Sequence, residues 1–92
     1  MVRFFNVKGE NMETRVAIIG IIVENDAVIC DIQNLLTEYS KYIIGRMGIP
    51  YQPKAVRIIS IVLDAPNDII NALTGKIGNL KGVNAKTVYS NV

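Results

Sequence analysis

From Arg15 to Val23 the chain reads RVAIIGIIV, an extended segment that is apolar on both alternating faces. Val16, Ile18 and Ile22 fall on one face, and Ala17, Ile19, Ile21 and Val23 on the other. This is the pattern of a strand buried in the middle of a sheet. Asn25 or Asp26 then supplies a helix cap, and apolar residues recur at Val28, Ile29, Ile32, Leu35, Leu36 and Tyr39, one stripe of a helix. A second strand, YIIGRMGIPY, is interrupted by Gly45 and Gly48 and closed by turn residues at Pro50 and Pro53. The third strand, AVRIISIVL, is again apolar on both faces. Pro66, Asn67 and Asp68 open a second helix whose stripe is Ile69, Ile70, Leu73, Ile77 and Leu80. Gly78 fits a left-handed position after that helix, and Gly82 turns the chain into a last strand, VNAKTVY.

The order βαββαβ predicts an α+β, ferredoxin-like sandwich: a four-stranded antiparallel sheet with two helices on one face. Right-handed crossovers place the first and third strands at the centre. Both of those strands are apolar on both faces, yet the helices cover only one. The bare face therefore requires a cover.

Composition sharpens this. The chain has 92 residues, of which 50% are hydrophobic, and a domain of this size buries only roughly 60–65% of its unfolded surface. A partner over the bare face is the economical solution, and a second copy of the chain is the simplest partner. Ten basic and eight acidic residues are scattered along the sequence, so no basic stripe marks a nucleic-acid footprint. The single Cys30 rules out an intramolecular disulfide and fits a reducing, cytoplasmic compartment. No apolar run is long enough to span a membrane.

Residues 1–13 differ in character from the rest, and we expect an N-terminal extension followed by one domain over residues 14–92. Lys8, Gly9 and Glu10 just before Met12 match the coding of a purine-rich ribosome-binding sequence, which makes residues 1–11 a translated leader. The competing reading is a genuine strand built on RFFNV.

The sequence offers little catalytic chemistry. It has no histidine, no spaced carboxylate pair for acid/base work, and no glycine pattern of a phosphate loop or dinucleotide site. An enzyme, a metal site and a cofactor are not expected. Arg46 and Arg57 lie on strands that form a hairpin, where neighbouring guanidiniums would hold an anion or simply be solvated.

Gly75 poses a separate question, because a glycine inside a helix costs about 1 kcal/mol relative to alanine. On a helical projection it points away from the sheet, beside Asn71, Thr74 and Gly78. Either the helix frays near Gly75, or a flat face there admits another backbone or a ligand.

The phrases IIGRMGIPY and NALTGKIGNLKGVNAKT together resemble the small proteins described as regulators of the iron-only hydrogenase system, over about Arg15 to Tyr89. The resemblance implies an ACT-like domain related to the C-terminal domain of the nickel-responsive repressor. Such domains oligomerise and often bind small effectors between copies. Three departures limit what is carried over. Without histidine, nickel sensing is not. VENDAV replaces the proline–glycine turn of amino-acid-binding ACT domains. The few residues ahead of Arg15 cannot form a ribbon-helix-helix, so transcriptional control would require a DNA-binding partner chain.

The expectation is a cytoplasmic regulatory or ligand-sensing module acting as a homo-oligomer, dimer or tetramer, through the helix-free sheet face. The alternatives are a structural adaptor oligomer without ligand and a nucleic-acid-binding protein. Candidate ligand-binding or interface residues are Asn25, Arg46, Gly48, Tyr51, Asn71, Gly75 and Gly78.

Overall fold

The computed structural model describes residues 13–90. Residues 1–12, on which the leader expectation falls, and residues 91–92 lie outside the described residues. The elements are β1 (Arg15–Val23), α1 (Ile29–Glu38), β2 (Ile43–Tyr51), β3 (Val56–Ala65), α2 (Asn67–Gly78) and β4 (Val83–Tyr89). The strands form one antiparallel sheet in the order β2-β3-β1-β4, the ferredoxin-like arrangement.

The two-sided apolarity of the central strands resolves into two faces. Ala17, Ile19, Ile21 and Val23 of β1 and Ile59, Ile61, Leu63 and Ala65 of β3 are buried beneath the helices. Ile32 and Leu36 of α1 and Ile70, Leu73 and Ile77 of α2 are fully buried in the same cluster. Each such side chain contributes roughly 1.5–3 kcal/mol on leaving water. The alternate positions of the same strands form the helix-free face.

The two edge strands meet the helices differently. On β4, the helix-facing residues Ala85, Thr87 and Tyr89 engage α2 directly. The Thr74 and Thr87 hydroxyls are 2.7 Å apart, and Tyr89 Oη donates to Asn71 Oδ1. On β2 the register places Arg46, Gly48 and Pro50 opposite Ile61, Ile59 and Arg57, hence on the helix side. Arg46 and Gly48 offer no apolar side chain for a helix to cover, and Pro50 offers only a short ring. The layer stays open there.

Three local expectations need correction. Gly78 is the last residue of α2 rather than a left-handed cap; Asn79 ends the helix with φ −80°, and the left-handed glycine that follows is Gly82. The helix also does not fray at Gly75, whose carbonyl accepts the Asn79 amide at 3.0 Å. Finally, the interruption of β2 is a register shift between Ile43 and Gly45, so one bulged residue, Ile44, is fitted there and Gly48 pairs regularly.

Candidate functional site

The open layer beside β2 forms a cleft of about 170 Å³ between α1 and the edge strand. Its walls are Ile29 and Gln33 of α1, and Gly48 and Pro50 of β2 with Arg57 and Ile59 of β3 complete it. The cleft has a sequence cause. Ile29 and Gln33 are one helical turn apart and share a face, and the glycine opposite them removes the side chain that would fill the gap.

The polar groups around this cleft are hydrogen-bond donors. Arg46, next to the lining on β2, donates from Nη2 to the cleft residue Gln33 at its Oε1, 2.6 Å away. That bond occupies the Gln33 oxygen and leaves its amide NH₂ to donate. Among the described residues Arg46 has no carboxylate partner. Arg57 donates through Nε to Asp26 Oδ1 at 3.1 Å, a bond that does not use its two terminal nitrogens. Side chains in the Arg57–Asp26 pair are 46% and 81% exposed, so water screens the pair and the positive character survives. The arginines are not direct neighbours, because Arg46 lies opposite Ile61 and Arg57 opposite Pro50. Arg57 lines the cleft, and Arg46 adjoins it through Gln33.

Of the residues singled out from sequence, Arg46 and Gly48 meet here. Tyr51 lies opposite Val56 at the hairpin end of β2, on the helix-free side of the sheet. Asn25 is a corner residue: its Oδ1 accepts from the Ala27 amide at 3.1 Å and its Nδ2 donates to the Lys81 carbonyl at 3.3 Å. Asn71 and Gly78 turn toward β4 rather than outward, Asn71 bonding Tyr89 and a Cβ on Gly78 lying 4.0 Å from Ala85. Gly75 remains outward, with nothing within 4 Å of its missing Cβ. Sequence reasoning missed Gln33; the available signal was a polar residue four positions after Ile29, at the margin of the apolar stripe.

The helix-free face is the second feature. Its central row runs Lys86, Gly20, Ser60, Met47 across the four strands. The rows on either side hold Val88, Ile18, Val62 and Gly45, and Asn84, Ile22, Ile58 and Ile49. Val88, Met47, Ile49 and Ile18 are 67, 57, 45 and 44% exposed. Ridges of isoleucine and valine thus flank a shallow trough at Gly20 and Ser60. Among the described residues there is no cluster of three or more metal-ligating side chains, and no helix is long and apolar enough to cross a membrane.

Comparison with known proteins agrees with this architecture. A formyltetrahydrofolate deformylase from Pseudomonas putida KT2440 contains a similar fold, with TM-score 0.61 and 13% identity over 84% of this chain and 29% of that one. The structure of the uncharacterized protein TM1266 from Thermotoga maritima superposes with TM-score 0.80 at 37% identity, covering 84% of this chain and 98% of that one. No curated protein matches significantly. The TM1266-like family model, described as "Iron-only hydrogenase system regulator, putative", matches residues 15–87. The chain belongs to the TM1266-like family.

Proposed function

We propose that this protein is a regulatory module of the iron-only hydrogenase system: an ACT-like domain that works in the cytoplasm as a homo-oligomer, senses a small molecule and performs no catalysis of its own. Its effect on transcription, on this reading, runs through a separate DNA-binding chain. Family membership supports the assignment to that system.

The observation that carries the reading is the exposed apolar face of the sheet, where Ile18, Ile22, Met47, Ile49 and Val88 stand in adjoining rows. Four strands about 4.8 Å apart and about seven residues long present on the order of 450 Å² per copy. Two stacked copies cover roughly twice that, close to the ~1,000 Å² expected of a specific interface. The face offers ridges of isoleucine and valine beside the shallow Gly20–Ser60 trough, apolar relief against which a second copy would pack. Within its strands it carries one cation, Lys86, and one anion, Asp64, which oppose each other when two copies stack about an axis over Ile18.

The test is made in the native host. Deleting the gene is expected to change the level of iron-only hydrogenase transcript, and native mass spectrometry of the tagged protein is expected to show an oligomer retaining a small molecule. Unchanged hydrogenase transcript across growth with and without hydrogen would contradict the regulatory role. An oligomer that never retains a small molecule would favour the adaptor reading instead.

A further inference from the structure

We propose that the α1–β2 cleft is a binding site for a short-chain organic dicarboxylate. This deepens the ligand-sensing reading above and rests on it. Four observations converge.

The first is charge. Arg57 lines the cleft and Arg46 reaches its margin through Gln33; the two lie four residues apart along β3 by register, or about 13 Å at the level of the backbone. Long guanidinium arms reaching inward from that separation meet the two ends of a short diacid. Arg46 has no carboxylate partner among the described residues, and the Arg57–Asp26 pair is solvent-screened.

The second is the direction of the hydrogen bonds. Gln33 spends its oxygen on Arg46, so the group it turns to a ligand is a donor. The two polar side chains that line the cleft, Gln33 and Arg57, both have donors to offer, and the Arg46 guanidinium stands next to Gln33. Such a site selects acceptors, and planar carboxylates match arginine's two-pronged geometry.

The third is the apolar wall. Ile29, Pro50 and Ile59 line the same space. Inorganic phosphate would leave them facing water, whereas a methylene chain between two carboxylates covers them. At about 170 Å³ the cleft is smaller than the ~300–1,000 Å³ of drug-sized sites, which limits the ligand to a few carbons.

The fourth is Gly48. Glycine weakens a strand interior and often marks close approach of another group. Within the protomer nothing demands it, since a Cβ there would have no neighbour within 4 Å and its φ is not positive. Its value lies in the space it leaves above Ile59.

The experiment uses purified, isotope-labelled protein titrated with glutarate, with inorganic phosphate as the second probe, at low ionic strength. Saturable shifts of the Gly48 and Gln33 amides and of the Arg57 side chain are expected with glutarate. Phosphate should bind at least ~10-fold more weakly, and Arg46→Gln should weaken glutarate by about 10-fold or more. Gly48→Val should abolish the response while the rest of the spectrum stays folded, because the strand accepts the side chain. Absence of saturable shifts below about 10 mM glutarate, or an undiminished response in Gly48→Val, overturns the site. Equal binding of phosphate overturns the dicarboxylate assignment. Neither result touches the regulatory role, which the gene deletion tests separately.

Discussion

A methyl group added to Gly82 would lie 2.7 Å from the Cβ of Asn25, and Gly82 itself has φ +78°. The two residues lock the end of β1 to the turn before β4. The Glu24 amide donates to the Gly82 carbonyl at 2.8 Å, and the Asn25 side chain reaches the Lys81 carbonyl. Gly82→Ala therefore meets both a left-handed backbone and a backbone-anchored side chain. It should cost about 2–4 kcal/mol in urea unfolding. Asn25→Gly removes the clashing Cβ, so Gly82→Ala should cost on the order of 1 kcal/mol less in that background. Equal costs in both backgrounds would mean that the contact is relieved some other way.

The two outlying glycines of α2 should respond oppositely to substitution. Gly75 faces open space, and alanine there should stabilise by roughly 0.5–1 kcal/mol through helix preference. Gly78 faces Ala85 at ordinary contact distance. Leucine at Gly78 must push α2 off β4 and should destabilise by about 1–3 kcal/mol. Urea midpoints of the two variants check the pair, and similar responses at both sites would deny that Gly78 lies at the helix–strand contact.

Lys76 ties the two helices together. Its Nζ donates to Tyr39 Oη at 2.8 Å and lies 3.8 Å from Glu38 Oε2. The hydrogen bond to Tyr39 raises its pKa above the ordinary 10.5, against a smaller opposing effect of desolvation, with the charges of Tyr39 and Glu38 also raising it. A raised amine pKa means that the folded state holds its proton more tightly. The stabilisation is complete below 10.5 and is lost as the pH climbs through the folded-state value. The melting-temperature difference between wild type and Lys76→Met should stay flat from neutral to mildly alkaline pH and shrink in strong alkali. A difference that changes around neutrality would assign the effect to another group.

The strand order, the placement of both helices and the division of β1 into two apolar faces were all legible, because alternation over nine residues admits only one geometry once the helices are set. The role of Asn71, Thr74 and Gly78 was not. A helical projection gives angles about an axis but does not say which strand lies below, and α2 sits over the edge strand β4. Small polar residues that look like an outward docking face on the projection are the ones that let α2 approach Thr87 and Tyr89. The cleft was half legible. Arg46 and Gly48 were visible as an arginine and a glycine on one strand, but the bulge at Ile44 sets which face they share. The partnership of Gln33 with Arg46 depends on tertiary packing that periodicity does not encode.

The central claim is that this module functions as an oligomer through its helix-free sheet face. Sedimentation equilibrium at about 10 µM, compared between wild type and Ile18→Glu, tests it most directly. Ile18 is exposed and surrounded by Val88 and Val62 on the two neighbouring strands, so glutamate there leaves the core alone and places a charge in the middle of the interface. Wild type should sediment as a dimer or larger and Ile18→Glu as a monomer with an unchanged circular dichroism spectrum. A monomeric wild type, or a folded Ile18→Glu that keeps the wild-type mass, would contradict the account.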